Sequence, residues 1–341
     1  MSHKQGIAVL GFGRMGGVHV KNLMASPRAS IKWIVRNKLE DAKKFIDSFG
    51  LAASCTGPDD LDPMLKDPSV DAVVICSPTS SHESQIKKAL EAGKAVFCEK
   101  PITRDRATTK QLYALAKKHN KPLFCAFHRR FDPSFQAMRE SIHSGKLGNL
   151  RLLKGSSHDT VTSPLSYIKT SGGILNDSTI HDLDMSMWMV GSRPEIISVH
   201  GNAFNSGIRD CGDCDLVVVT IKYQNGVISV IDNGRQATFG YIQNMEAVCD
   251  KGCLKVTNRE TSYLHKYSLD MLKSPNIDYD FVTRYPEAYH NEMEHFLNVL
   301  QGKAQLGITE EDTLRAMALV EAGNASLKSG KPVIVDEYDR A

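Results

Sequence analysis

The segment from Gly172 to Trp188 carries an aspartate and a histidine at the spacing of a catalytic pair. It reads GGILNDSTIHDLDMSMW, with Asp177, His181 and Asp184 at positions i, i+4 and i+7. On an α-helix these positions share one face, so a carboxylate and an imidazole can act together on a proton. Imidazole titrates near physiological pH, which suits His181 to take a proton from an alcohol. Structural pairs have the same spacing, so the spacing leaves both interpretations open.

The length and charge of the chain narrow the class of protein. At 341 residues it exceeds a typical domain of roughly 100 to 200 residues, which predicts two domains. Lys and Arg number 42 against 39 Asp and Glu, without basic runs, so neither a nucleic acid nor a membrane partner is indicated. The segment Met1–Gln5 leads directly into an apolar strand, and we expect a cytoplasmic protein.

The eight cysteines do not suggest a disulfide framework, because several lie in apolar runs where thiols pack as small hydrophobic groups. Cys211 and Cys214 have the spacing of a zinc or redox pair. No second Cys or His pair follows at a suitable distance, so we expect no metal.

Short apolar runs alternate with amphipathic stretches from residue 6 to residue 126. The runs are Ile7–Leu10, Ile31–Val35, Ala72–Cys76, Ala95–Cys98 and Leu123–Phe127, and the stretches are Val18–Ala25, Leu39–Phe49, Ser81–Ala92 and Arg104–His119. This alternation predicts an α/β domain over residues 1–126 with a doubly wound parallel sheet, the Rossmann arrangement.

Longer alternating strands appear after residue 127. Asp215–Tyr223 and Val227–Asn233 flank Gln224-Asn225-Gly226, whose Asn-Gly predicts a hairpin turn. Two helices, Tyr289–Gln301 and Glu310–Ser329, are predicted near the end. We therefore expect a second, α+β domain over residues 127–341.

A glycine-rich loop follows the first predicted strand and opens the first predicted helix. Its residues are Gly11, Phe12, Gly13, Arg14, Met15 and Gly16. In GxGxxG the first glycine allows the tight turn, the second lets the backbone approach a pyrophosphate, and the third lets helix and strand pack closely. The loop predicts a dinucleotide site.

Arg36 stands where an acidic residue would normally bind the ribose 2′-hydroxyl of NAD, about 20 residues beyond the loop. A guanidinium there suits a 2′-phosphate, so NADP is predicted to be accepted as well as NAD.

Two later loops should line the nicotinamide end, since ligands bind at the carboxyl ends of parallel strands. Their candidate residues are Ser77, Pro78, Thr79, His82, Glu99 and Lys100. Lys100 can donate a hydrogen bond to a substrate oxygen and stabilise alkoxide charge. Alternatively, it is a lysine that only extends to solvent at a domain boundary.

Four motifs together give a resemblance to the Gfo/Idh/MocA oxidoreductases, and within that family to the inositol 2-dehydrogenase branch. They are Gly11–Gly16, Glu99-Lys100-Pro101, Phe127–Pro133 and Gly172–Asp184. The resemblance implies that Lys100, Asp177 and His181 are catalytic, and that a large mixed or antiparallel sheet forms the second domain, often used in homo-oligomers such as dimers or tetramers. Arg36 departs from the aspartate of the NAD-dependent relatives.

The resemblance and the residue chemistry imply oxidation of a secondary hydroxyl of a cyclic polyol, an inositol, without a metal. His181 would take the proton, Asp177 would orient its imidazole, and Lys100 would hold the reacting oxygen. Further substrate contacts are expected from Arg129, His158, Asp159 and Tyr241.

Three alternatives stay open. The enzyme could act on a sugar, a sugar phosphate or a trans-dihydrodiol; the chain could be an inactive dinucleotide-binding sensor; or a metal could be held by His158, Asp177, His181 and Asp182. On a helix Asp182 points about 100° away from His181, which argues against the metal. The catalytic set Lys100, Asp177 and His181 argues against the sensor.

Overall fold

The computed structural model describes residues 4–262, 264–268, 272–273 and 275–335 of the chain. It forms two compact units, the first within residues 1–131 and 287–314 and the second within 132–286 and 315–341. We predicted that residues 127–341 form one domain, whereas residues 127–131 and 287–314 belong to the first unit. The outer ends of the predicted domains, residues 1–3 and 336–341, lie outside the described residues.

The elements follow one another along the chain in a β/α order and then in a β-rich order. The strands are β1 (Gln5–Leu10), β2 (Ala29–Val35), β3 (Ser54–Thr56), β4 (Ala72–Ile75), β5 (Ala95–Glu99), β6 (Leu123–Ala126), β7 (Leu150–His158), β8 (Pro194–Asn202), β9 (Leu216–Tyr223), β10 (Ile228–Gly234), β11 (Ile242–Cys249), β12 (Gly252–Val256), β13 (Lys266–Tyr267), β14 (Leu272–Lys273) and β15 (Val333–Ile334). The helices are α1 (Arg14–Ala25), α2 (Leu39–Ser48), α3 (Asp62–Lys66), α4 (Thr79–Glu91), α5 (Arg106–Lys118), α6 (Pro133–His143), α7 (Leu165–Ser171), α8 (Ile180–Val190), α9 (Ser206–Asp210), α10 (Phe281–Arg284), α11 (Pro286–Leu300) and α12 (Glu310–Ser329).

The first unit contains a six-stranded parallel sheet in the order β3-β2-β1-β4-β5-β6. All four residues of β4 are fully buried, as expected for a strand covered by helices on both faces. The predicted doubly wound fold is confirmed. The short β3 and α3 were not predicted, because the sequence between α2 and β4 has many turn-forming residues and little periodicity.

Aromatic rings from α11 complete the core of the first unit. The ring of Phe97 on β5 stacks on Phe124 at 5.2 Å and meets the edge of Phe296 at 5.5 Å. His19 on α1 meets Tyr289 edge-on at 5.9 Å. These contacts explain why the C-terminal residues 287–314 belong to a unit that begins at the N-terminus.

The second unit contains a seven-stranded mixed sheet in the order β12-β11-β7-β10-β9-β8-β15. Strands β7 and β10 run parallel, and the other neighbours are antiparallel. The predicted hairpin joins β9 to β10, and Gly226 takes the φ of +85° that favours glycine. The expected large mixed sheet is confirmed.

Candidate active site

The glycine loop packs tightly against neighbouring backbone at Gly11 and Gly16 and faces open space at Gly13. Gly11 has φ +88°, and a Cβ there would lie 2.5 Å from the backbone nitrogen of Ser77. A Cβ on Gly16 would lie 2.0 Å from the Gly11 oxygen. A Cβ on Gly13 would meet nothing within 4 Å, and no side chain caps the start of α1. The N–H groups of the first turn of this helix fit the pyrophosphate of a dinucleotide.

Arg36 lies beside this loop and forms an ion pair with Asp41. The Gly11 N–H donates to the Val35 carbonyl at 3.0 Å, which holds the loop against the end of β2. The Arg36 Nη2 atom lies 2.9 Å from Asp41 Oδ2, and its Cζ lies 5.6 Å from the centre of the Phe12 ring. Asp41, in the first turn of α2, was not among the predicted site residues.

His82 joins the loops that follow β4 and β5. It is 1 % exposed, and its ring nitrogens lie 2.9 Å from the carbonyl oxygens of Ser77 and Pro101. Pro78 directly precedes α4, which begins at Thr79. The predicted cofactor residue His82 therefore links the two loops through its ring nitrogens.

Glu99, at the end of β5, is anchored beside Lys100. Its Oε1 atom accepts a hydrogen bond from His19 Nε2 at 2.7 Å. Lys100 follows it and is half-buried. Glu292 on α11 is fully buried, and neither of its carboxyl oxygens has a hydrogen-bond partner in the described part of the chain. Burial first, and the charge of Glu99 second, raise the pKa of Glu292 well above its usual range.

The predicted substrate residues are distributed over both units. Arg129, in the 3₁₀ turn His128–Phe131 of the first unit, is 5 % exposed. In the second unit His158 ends β7, Asp159 follows it, and Tyr241 is buried directly before β11. The His158 Nε2 atom lies 2.5 Å from Oδ2 of Asp232, a residue of β10.

Asp177 is held by two donors within the second unit. Its Oδ2 atom accepts from Arg235 Nη1 at 2.9 Å, and its Oδ1 atom accepts from the Tyr167 hydroxyl at 2.6 Å. Arg235 is 1 % exposed and donates from Nη2 to Asp213 Oδ2 at 2.8 Å. The guanidinium therefore joins two carboxylates that are distant in sequence.

The backbone around Asp177 differs from the predicted α-helix. Gly172 and Gly173 have φ values of +89° and +88°, and a π-helical turn, Leu175–Thr179, then precedes α8. Asp177 therefore lies in a π-helical turn and not in the α-helix that was predicted, whereas His181 and Asp184 lie in α8.

His181 lies in the first turn of α8 and is 9 % exposed. The start of this helix is tied to β10 by Asn233, which is fully buried. Asn233 Nδ2 donates to Asp182 Oδ2 and to Ser178 Oγ, each at 3.0 Å, and its Oδ1 accepts from Thr179 Oγ1 at 3.2 Å. Asp182 thus has a structural contact, and His181 sits on a fixed segment.

Burial and neighbouring groups shift the pKa values of three side chains in the second unit. Partial burial first, and the Asp177 carboxylate second, raise the pKa of Tyr167, so its hydroxyl stays a donor. Burial lowers the pKa of Arg235, but Asp177 and Asp213 outweigh it and the net pKa is raised. Burial likewise raises the pKa of Asp232, but hydrogen bonds from His158 and Ser156 outweigh it, and the net pKa is lowered.

The described residues contain neither a metal-binding cluster nor a membrane-spanning helix. No group of three or more His, Cys, Asp or Glu side chains there could hold a metal ion. None of the helices in the described part of the chain is both long enough and apolar enough to cross a membrane.

The Cys211–Cys214 segment contributes Asp213 to the site. The Asp213 carboxylate accepts a hydrogen bond from the Ile174 N–H at 2.9 Å as well as from Arg235.

Known proteins resemble this chain over most of its length. A family model described as "Oxidoreductase family, NAD-binding Rossmann fold" matches residues 5–127, and one described as "GFO/IDH/MocA C-terminal domain" matches residues 135–255. An inositol 2-dehydrogenase of Rhizobium meliloti (strain 1021) is 33% identical over 330 residues, covering 96% of this chain and 98% of the relative. The chain belongs to the Gfo/Idh/MocA oxidoreductase family.

Other family members extend the comparison. An uncharacterized oxidoreductase of Bacillus subtilis (strain 168) is also 33% identical, covering 97% of both chains. The crystal structure of scyllo-inositol dehydrogenase from Lactobacillus casei, with bound cofactor NAD(H) and scyllo-inositol, is 25% identical. Its TM-score is 0.89, and the match covers 98% of this chain and 99% of that one. The predicted family and its oxidoreductase class are confirmed.

Sequence reasoning missed several members of the site in this Gfo/Idh/MocA chain. Arg235 and Asp213 carry no recognisable spacing relative to Asp177, because β10 and the α9–β9 loop meet it only in the fold. Tyr167 lies ten positions before Asp177 and is separated from it by two turn glycines. Asp41 had a usable signal, since it is an acidic residue in the first turn of the helix after Arg36.

Proposed function

We propose that this chain is a nicotinamide-dinucleotide-dependent dehydrogenase that oxidises a secondary hydroxyl of an inositol to a ketone. The observation that carries the proposal is Asp177, fixed by the buried Arg235 in the turn directly before His181. A carboxylate fixed four residues before a histidine is suited to support proton transfer by that histidine. The inositol dehydrogenases among its family members support the substrate class.

The proposed cofactor is NAD or NADP. The open tip of the loop at Gly13 and the start of α1 would hold its pyrophosphate, with Arg36 at the adenosine ribose. The loops containing Ser77 and Lys100 would contact its nicotinamide half. When bound, the dinucleotide accepts the hydride from the substrate carbon.

Each proposed catalytic side chain has one task. His181 takes the proton of the hydroxyl that is oxidised. Asp177, which Arg235 holds in place, stabilises the imidazolium that results, as a carboxylate does beside other catalytic histidines. Lys100 donates to the same substrate oxygen and stabilises its developing negative charge.

The remaining ring hydroxyls are assigned to a second set of residues. We propose Arg129, His158, Asp159 and Tyr241 as substrate contacts, because polar groups of different geometry are needed to discriminate among polyols. Asp232 and Ser156 would hold His158 in orientation through the bonds described above.

A cytoplasmic homo-oligomer remains our expectation for the assembled enzyme.

The decisive experiment is a substrate panel measured with each dinucleotide. Myo-inositol, scyllo-inositol, common aldoses, sugar phosphates and a trans-dihydrodiol are tested for reduction of NAD and NADP, followed by absorbance of the reduced nicotinamide. We expect the highest kcat/KM with an inositol. Turnover only with a sugar, a sugar phosphate or a dihydrodiol would move the chain to that substrate class. Dinucleotide binding without any turnover would favour the sensor.

A further inference from the structure

We propose that Asp41 determines cofactor specificity, by neutralising Arg36 and by accepting the ribose 2′-hydroxyl, so that the chain prefers NAD to NADP. The inference rests on the proposed dinucleotide function. It changes the significance of Arg36, which by itself predicts that a 2′-phosphate is accepted.

Asp41 and Arg36 form a compact wall beside the glycine loop. Their ion pair measures 2.9 Å, and the guanidinium lies over the ring of Phe12 at the tip of the loop. Phe12 in turn packs on Phe45 with 4.6 Å between ring centres. Asp41 and Phe45 are four residues apart on α2 and so share one helix face. One face of this helix therefore contacts the loop and carries the carboxylate.

The charges of this wall favour a hydroxyl over a phosphate. The pair has no net charge, so the attraction that a lone guanidinium would offer to a 2′-phosphate is largely cancelled. A phosphate close enough to bond Arg36 would also lie close to the Asp41 carboxylate and be repelled. A hydroxyl meets no such conflict, because it can donate to Asp41 and accept from Arg36.

The exposure of the pair leaves it accessible to a ligand. The side chains of Arg36 and Asp41 are 32% and 41% exposed, so neither is enclosed by the first unit. The acidic residue that normally reads the ribose stands at the end of the second strand, where this chain has Arg36. We infer that α2 supplies the missing carboxylate five residues later.

Calorimetric titration with NAD⁺ and NADP⁺, without any polyol, tests this inference. The variants are Asp41→Asn, Arg36→Ala and the double variant. Asp47→Asn is the matched control, because it removes one negative charge from an exposed position of the same helix. We expect the wild type to bind NAD⁺ about tenfold or more tightly than NADP⁺, and Asp41→Asn to tighten NADP⁺ by a similar factor.

The double variant shows whether the effect acts through the pair. In the Arg36→Ala background, Asp41→Asn should tighten NADP⁺ by a smaller factor than it does when Arg36 is present, because it relieves the repulsion of the phosphate but frees no guanidinium to bond it. Asp47→Asn should leave the preference of the wild type in place. A wild-type preference for NADP⁺, or equal effects of Asp41→Asn and Asp47→Asn, would overturn the inference.

Failure of the proposed function would look different. If the wild type binds neither dinucleotide, both proposals fall. If it binds dinucleotides but oxidises no inositol, the substrate assignment fails, while the affinity ratios still decide the role of Asp41.

Discussion

Arg235 donates to Asp177 over 2.9 Å from a position where the arginine is 1 % exposed. Its second terminal nitrogen donates to Asp213, so one cation satisfies two carboxylates. A planar guanidinium can do this because its donors point in fixed, divergent directions. The carboxylate of Asp177 is therefore positioned by residues outside its own helical segment.

Replacing Arg235 should damage both stability and turnover. Arg235→Met leaves two largely buried carboxylates without their cation, and we expect a loss of about 3 to 5 kcal/mol in the free energy of unfolding. Urea unfolding measures this loss, with Arg193→Met as a control at an exposed arginine. Arg235→Lys keeps the positive charge but lacks the planar guanidinium that bonds both carboxylates. It should stay folded but lose about 10² in kcat, and unchanged turnover in Arg235→Lys would contradict the positioning role.

His181→Ala and Lys100→Ala should each lower kcat by about 10² to 10⁴, the usual contribution of a general acid or base. Dinucleotide affinity should survive, because the glycine loop and Arg36 are unchanged. Steady-state kinetics with the preferred inositol, together with titration of the cofactor, separate the two effects. Turnover close to that of the wild type would remove the variant residue from the mechanism.

Three glycine substitutions should separate folding from binding. Gly13→Ala meets no protein atom within 4 Å, so the fold should persist while dinucleotide affinity falls, because the added methyl occupies the approach to the loop. Gly17→Ala is equally unobstructed and serves as the control that keeps affinity. Gly16→Ala would collide with the Gly11 oxygen and should lower the thermal midpoint as well. Equal affinities of Gly13→Ala and Gly17→Ala would show that the pyrophosphate does not approach at Gly13.

Glu292→Gln should change how stability depends on pH. The pKa of Glu292 is raised in the fold, so the folded chain keeps a proton that the unfolded chain releases above the ordinary glutamate pKa of about 4.3. The wild type therefore loses stability as the pH rises from there towards the raised pKa, by at most about 1.4 kcal/mol per pH unit.

Glutamine does not titrate, so the unfolding free energy of the variant should rise relative to that of the wild type as the pH increases above about 4. Below about pH 4 the difference between the two unfolding free energies should not change with pH. Glu287→Gln, at an exposed position of the same helix, is the control. Unfolding free energies from pH 3 to pH 8 provide the measurement. Parallel pH profiles for the wild type and Glu292→Gln would show that Glu292 is ionised in the fold.

Local patterns predicted the elements and motifs that depend on neighbours in sequence. The glycine loop works through contacts between close residues such as Gly11 and Gly16, and α12 has the predicted bounds Glu310–Ser329. The π-turn could not be predicted, because an i, i+4 pattern looks the same whether or not the turn before it is widened.

The partners of the site depend on the folded chain instead. The bond between Arg235 and Asp177 spans 58 residues of sequence. Asp213 was hidden between two cysteines whose spacing suggested a different chemistry. Long-range pairs of this kind leave no periodic signal in a single sequence.

The placement of α11 has a consequence for synthesis of the protein. His19 and Phe97 leave the ribosome early, whereas their ring contacts Tyr289 and Phe296 are made almost last. Domains generally fold as units, N-terminal first, while the chain is being made. Here a nascent chain that stops before Pro286 lacks these contacts, so the half that is translated first cannot complete its core until most of the second half has emerged.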